Sequence, residues 1–217
     1  MSFDDDLAQN VTDQLFWDPK VDDGSIAVSA DDGKVTLRGT VGSLREKREA
    51  SKDAERVFGV ISVDNQLQVT VMDAQKRRDA ELRGDVLRAL MLDGTVPASV
   101  DAQVVDGAIT LTGTARWQYQ RDEAELVASN VAGALDVVDE IELQQPTASA
   151  GDVQESIRKA LKRNAALDAD HLEVSSSNGS VTIDGTVSSW AEHDEALAAA
   201  WAAPGVTDVH DRITVAY

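Results

Sequence analysis

Hydrophobic residues keep two rhythms along this chain, and the rhythms alternate in the same order three times. Leu7, Val11 and Leu15 fall four apart, as one face of a helix does. Pro19 and the Asp22-Asp23-Gly24 cluster end that helix. Ile26 and Val28 then alternate with small or polar residues, the period of a half-buried strand. Asp32-Gly33 predicts a tight hairpin turn, because both residue types accept positive φ angles. Val35 and Leu37 resume the alternation on a return strand, which the chain leaves at Gly39. Ser43-Leu-Arg-Glu46 is a capping box and starts a second helix. Its inner face reads as Leu44, Ala50, Ala54 and Val57, with Gly59 just past its end, where a left-handed cap favours glycine. Val60 and Val63 follow, and Leu67, Val69 and Val71 alternate as a third strand.

The same α-β-β-α-β order returns twice. Leu82, Val86 and Leu90 line the next first helix; Val100, Ala102 and Val104 a strand; Ile109 and Leu111 its return; Ala124, Val127, Ala128 and Val131 a second helix; Val137, Ile141 and Leu143 the last strand. In the third copy these are Val153, Ile157 and Leu161, then Leu172 and Val174, then Val181 and Ile183, a helix capped by Ser189 and Glu192, and finally Val209, Ile213 and Val215. The Gly-Thr pairs at Gly39, Gly113 and Gly185 set periods of 74 and 72 residues. Turn glycines Gly33, Gly107 and Gly179, and Gly59, Gly133 and Gly205 placed 20 residues after each Gly-Thr, keep the same phase; all nine read as backbone devices. The expected architecture is α+β. Three tandem repeats span 1–72, 78–144 and 151–217, each a three-stranded mixed sheet with two helices packed on one face. Residues 72–79 read as a charged linker and Gln144–Gly151 as a polar, proline-containing one.

The residues that recur are hydrophobic-Thr-hydrophobic-x-Gly-Thr, an alanine 11 positions on, and the ending Gly59-Val60-Ile-Ser-Val63-Asp-Asn65-Gln-Leu67-Gln-Val69. This pattern resembles the BON (bacterial OsmY and nodulation) domain, over nearly the whole chain. The second copy departs from it at Ala134 and Asp139; the third keeps Val206 and has Asp211 for the asparagine. The resemblance implies a non-enzymatic module of bacterial stress physiology, often exported or envelope-associated. It implies phospholipid as one ligand class and, through relatives that bind it, potassium as another. It supplies no catalytic residues to carry over.

Charge narrows the partners. The net charge of -19 divides almost evenly, as -6 over 1–72, -7 over 73–147 and -6 over 148–217. Such a field repels phosphate backbones and excludes nucleic acid as a partner. There is no cysteine, which removes disulfides and thiolate zinc sites. Met1–Asp6 has neither a basic region nor a following apolar run, so the expected location is cytoplasmic, or periplasmic if the chain is a processed form. No stretch reaches the length of a membrane-spanning helix.

No constellation supports catalysis, a metal or a cofactor. His171, His193 and His210 occur in the third repeat alone and read as exposed. Asp22-Asp23-Gly24 and Asp31-Asp32-Gly33 lack the spacing of a calcium loop and read as turns. The interleaved charges of 45–56 read as a salt-bridged solvent face.

The repeats serve as controls for one another. Leu197 and Trp201 replace Ser51 and Glu55 of the first repeat and Glu125 and Ser129 of the second, adding an apolar stripe off the shared core. Trp117 stands where Ser43 and Ser189 cap their helices, with Tyr119 two residues on. Phe16 and Trp17 end the first helix where the third repeat has Lys162 and Arg163. These six residues are the expected contacts to a neighbouring repeat, a partner, a second copy or an apolar ligand. The expected function is a non-catalytic binding or scaffold protein for phospholipid or another apolar ligand. The alternatives are a protein-interaction or chaperone-like module using exposed aromatics, and potassium sensing.

Overall fold

Each repeat builds the expected order of elements. The computed structural model describes residues 3–70, 77–144, 149–164 and 171–216. Repeat one holds α1 (Phe3–Trp17), β1 (Ile26–Asp31), β2 (Lys34–Val41), α2 (Leu44–Glu55) and β3 (Ser62–Val69). Repeat two holds α3 (Asp79–Leu92), β4 (Asp101–Val105), β5 (Ala108–Ala115), α4 (Gln118–Ser129) and β6 (Asp136–Leu143). Repeat three holds α5 (Ala150–Arg163), β7 (Leu172–Ser177), β8 (Ser180–Val187), α6 (Trp190–Trp201) and β9 (Asp208–Val215).

The sheets run β1-β2-β3, β4-β5-β6 and β7-β8-β9. In repeat one the hairpin is antiparallel, from Ile26↔Gly39 to Asp31↔Lys34, and β3 joins β2 in parallel, from Lys34↔Ser62 to Val41↔Val69. Repeat three has the same registers, Leu172↔Gly185 and Ser180↔Asp208 at their starts. The parallel pair needs a crossover longer than a turn, and the second helix supplies it.

Backbone geometry explains why the recurring glycines recur. Asp32, Asp106 and Asn178 all have positive φ and each precedes a glycine that does too, as the hairpin turn requires. The carbonyl of that turn glycine then accepts the N–H that opens the third strand's approach: Ile61 to Gly33 at 2.8 Å, Leu135 to Gly107 at 2.9 Å, Thr207 to Gly179 at 2.8 Å. A Cβ at Gly39, Gly113 or Gly185 would lie 1.9, 2.2 or 2.1 Å from the carbonyl oxygen of Ser25, Ser99 or His171. Nothing but hydrogen fits there.

The asparagine position also has a mechanical meaning. Asn65, Asp139 and Asp211 each accept, through Oδ1, the backbone N–H two residues on. Asparagine and aspartate do that equally well. The second side-chain atom differs: Asn65 Nδ2 donates to the Lys47 carbonyl and to Ser51 Oγ, tying β3 to α2. Asp211 cannot donate there, and its Oδ2 meets His193 instead, at 2.8 Å.

Each core is the predicted stripe. Leu7, Val11, Leu15, Val35, Leu37, Ala50, Ala54, Val60 and Leu67 bury together in repeat one. Val153, Ile157, Leu161, Val174, Val181, Ile183, Ala196, Ala200 and Val206 do so in repeat three. In repeat two Ala124 and Ala128 are buried while Val127 and Val131 stay half-exposed. Val57 follows the end of α2 and packs half-buried against its core. Ala150 and Gly151, read as linker, already belong to α5, because Ser149 Oγ accepts from the Asp152 N–H and starts the helix there. The rest of both linkers lies largely at 71–76 and 145–148, outside the described residues, as does Val71.

The chain divides into two compact units: Met1–Gly113 with Asp122–Ile141, and Thr114–Arg121 with Glu142–Tyr217. The first holds repeat one and most of repeat two; the second holds repeat three. Among the described residues no helix is long and apolar enough to cross a membrane.

Candidate binding surfaces

The first helix of each repeat buries its last stripe residue, and what comes next decides its end. Leu15 is fully buried, yet Phe16 and Trp17 are 67% and 77% exposed, their rings edge to face at 6.2 Å. Leu90 is buried at the equivalent place in repeat two, and Met91 and Leu92 are 86% and 81% exposed. Leu161 is followed by Lys162 and Arg163. Two helices therefore end in a pair of large apolar side chains facing water, where the third ends in two cations. Helix C-termini favour cations, because the unpaired carbonyls carry partial negative charge. An apolar pair gives up that gain and leaves hydrophobic surface in water. Met91 and Leu92 escaped the sequence reading, although lining up α3 with α1 and α5 would have found them.

The other expected contacts differ in kind. Tyr119 is 58% exposed. Trp117 is half-buried, with the Arg116 guanidinium carbon 5.8 Å from its ring centre. Its helix keeps half a capping box: Gln120 Oε1 accepts the N–H groups of Arg116 and Trp117, and the Trp117 side chain carries no hydroxyl to complete the other half. Ser43 and Ser189 make their caps as expected. Trp201 is half-buried against the core of its own repeat, so that part of the stripe does not stand off the core. Leu197 is half-buried. Phe16, Trp17 and Tyr119 are open to solvent.

His193 corrects the reading of exposed histidines. It is 7% exposed, with Nε2 at 2.8 Å from Asp211 Oδ2, Nδ1 at 3.3 Å from Asp194, and its ring against Trp190 at 4.8 Å. Lys47 and Asn65 stand at these positions in repeat one, so His193 and Asp211 changed as a pair. The repeat alignment carried that signal. Among the described residues no group of three or more acidic or histidine side chains could hold a metal.

Three acids on the charged face of α2 have partners other than an i,i+4 cation. Glu46 accepts the backbone N–H groups of Asp22 and Gly42. Glu49 pairs with Lys20 at 3.0 Å, and that hydrogen bond holds its carboxyl below the usual range. Asp53, side chain 1% exposed, pairs with Arg56 at 2.8 Å. These acids serve their own repeat's loops and helix end. Burial pushes the Asp53 carboxyl up, with the Asp18 carboxylate adding to the shift. Asp18 is held low, chiefly by the Lys20 backbone N–H.

Comparison with known proteins bears on these surfaces. The sequence model of the BON domain matches residues 3–71, 78–145 and 149–217. A curated relative, Osmotically-inducible protein Y of Escherichia coli (strain K12), is 34% identical over 123 residues, 54% of this chain and 60% of that protein. The match thus spans less than two thirds of the relative's length. Two solved structures of CdsD, described as a structural protein of the type III secretion system of Chlamydia trachomatis, align at 16% and 15% identity. They cover 97% and 98% of this chain and 92% and 98% of theirs, with TM-scores of 0.27 and 0.28, too low to carry a structural argument.

Proposed function

The chain belongs to the BON domain family, with three copies in tandem, and from that premise we propose that it is a non-catalytic binding protein of bacterial stress physiology whose ligand is phospholipid or another apolar surface. The stress setting is supported by the osmotically inducible relative. The ligand class is supported by one observation: the first helices of repeats one and two both end in an exposed apolar pair, Phe16-Trp17 and Met91-Leu92. Burying a large apolar side chain is worth about 1.5–3 kcal/mol. Two such pairs suffice for reversible attachment to a bilayer surface, even by an acidic protein. Attachment through them is apolar, so it persists at high salt.

Flotation with neutral and anionic vesicles, at low and high salt, tests this. Wild type is expected to float with neutral vesicles. Replacing Phe16 and Trp17 by Lys and Arg, and Met91 and Leu92 likewise, gives each helix the ending of α5 and should release the protein. Absence of wild-type flotation, or flotation unchanged in the four-residue variant, overturns the reading.

A protein partner is the second reading, favoured by Leu197 and Trp201 at positions that are polar in both other repeats and by the open ring of Tyr119. Trp201→Glu should then alter the set of proteins retained by the immobilised chain, and identical sets count against it.

A further inference from the structure

Two repeats of the first compact unit turn the same face to each other. The groove between them is lined from α2 by Ser51, Lys52 and Glu55, and from α4 by Glu125 and Ser129. With the Gly-Thr pairs aligned, Ser51 and Glu125 occupy one position of the repeat, and Glu55 and Ser129 another. Equivalent surfaces meeting in this way make an isologous pair, the arrangement of a two-fold dimer. The pairing is one of unlike charge: α2 also brings Lys47 and Arg48, and repeat two brings Asp136. Repeats one and two thus spend this face on each other, and the same face of repeat three, on α6, is matched by neither. Its chemistry has changed. Leu197, Ala198 and Trp201 stand for Ser51, Lys52 and Glu55, and His193 and Asp194 for Lys47 and Arg48. Trp190 replaces Leu44, which lines the groove in repeat one. Ala198 is exposed and Leu197 and Trp201 are half-buried, so the outer side of this helix is a partly wet apolar stripe.

We propose that two copies of this chain pair through α6, with Leu197, Ala198 and Trp201 of one against the same residues of the other. This names the occupant for the protein-partner reading and rests on it. The repeat-one and repeat-two pair supplies the geometry, since it already joins two such faces through these helix positions. The chemistry supplies the choice of partner. A surface bearing the charges of α2 or α4 would have to bury them against an apolar wall, which is costly. A surface bearing the same Leu-Ala-Trp stripe would not. Tryptophan is among the residues that most often anchor an interface, and a two-fold axis uses each anchor twice. Repeat three carries a net charge of -6, with Glu192, Asp194 and Glu195 on α6 itself, so two copies repel at low salt. Salt screens that repulsion and leaves the apolar seam intact. Dimerisation through α6 should therefore strengthen with salt, whereas a pairing of cations with carboxylates would weaken.

Sedimentation equilibrium on the full chain, at low and high salt, tests it. A monomer–dimer equilibrium is expected, tighter at high salt. Leu197→Ser combined with Trp201→Glu installs the pair that α2 carries in repeat one, and should weaken dimerisation at least about tenfold. Trp201 also packs against its own core, so a second variant guards against a folding defect. Ala198→Lys restores the charge of Lys52 at an exposed position; it should weaken the dimer as much, with circular dichroism like that of wild type. Replacing Phe16, Trp17, Met91 and Leu92 by cations should leave the dimer unchanged, which separates this contact from the vesicle-binding surface. A chain monomeric at both salts, a dimer that weakens with salt, or a dimer unchanged by Ala198→Lys each overturns the proposal. A monomeric chain whose Trp201→Glu variant still retains a different set of proteins overturns the self-pairing alone and leaves the protein-partner reading standing.

Discussion

Asp53 is a test of how much a buried charge costs this fold. Its side chain is 1% exposed, its Oδ1 pairs with Arg56, and its Oδ2 has no hydrogen-bond donor. The nearby Asp18 carboxylate adds repulsion, and burial raises the Asp53 pKa. Val127 and Ala199 occupy the same place in the other repeats, so the backbone accepts an apolar residue there. Asp53→Val should bury a side chain worth about 1.5–3 kcal/mol. It forfeits an ion pair whose Arg56 is 61% exposed, worth roughly 0–1 kcal/mol. The expected net gain is about 1–2 kcal/mol near pH 7. The pH dependence gives the sharper check. A raised folded-state pKa means the native form binds more protons than the unfolded chain, so wild-type stability falls as pH rises from the unfolded value of about 4 through the folded one. The variant lacks that loss, and its advantage should therefore grow from acid towards neutral pH. Asp18 acts in the other sense: its lowered pKa gives stability above the unfolded value that is lost in acid. Because the Lys20 N–H is the main cause of that shift, most of it should survive in the variant. Urea unfolding followed by circular dichroism at about pH 4 and about pH 7 measures the Asp53 effect, and a further point at about pH 2–3 reaches the window in which the Asp18 contribution is lost. A variant less stable than wild type near pH 7, or an advantage independent of pH, refutes the reasoning.

The geometry of the repeats yields four further outcomes. Gly39→Ala and Gly185→Ala drive a Cβ to within 1.9 and 2.1 Å of a carbonyl oxygen, and each should cost at least about 1–3 kcal/mol in urea unfolding. His193→Ala removes a buried ring packed on Trp190 and its 2.8 Å bond to the exposed Asp211 carboxylate, and should cost about 0.5–1.5 kcal/mol for the bond. Combining His193→Lys with Asp211→Asn installs the repeat-one pair, and a double-mutant cycle should show coupling of about 0.5–3 kcal/mol. Arg116→Ala should shift Trp117 fluorescence by removing the cation near its ring while changing stability by less than about 1 kcal/mol.

The fold was legible because it is written in positions that serve the backbone. Leu7, Val11 and Leu15 bury because helix geometry puts them on one face. Gly39 recurs because a carbonyl occupies the space of a side chain. Such constraints act within one repeat and leave a local, periodic trace. His193 left a fainter one: its burial depends on Asp211, 18 residues away on the neighbouring strand. Composition alone makes a lone histidine look like a solvated one. The charged face of α2 misled for the same reason, since i,i+4 spacing suggests partners on the helix. Glu46 and Glu49 bond instead to loop groups at Asp22, Gly42 and Lys20.

Comparison between repeats recovers part of what periodicity misses, and it points away from the core. A position under the same packing demand in all three copies stays apolar or stays glycine. A position that changes chemistry, stays open to solvent and leaves the fold unchanged answers to something other than that fold. The residues after Leu15, Leu90 and Leu161 are of this kind: the helix ends alike in three places, yet carries aromatics, aliphatics and cations in turn. Stability would favour cations at all three ends, and only one has them. Two copies therefore depart from what their own helix prefers, in the same direction and at the same turn. That coincidence argues for a shared external surface more strongly than the exposure of any single side chain, because isolated exposed apolar residues are common on proteins.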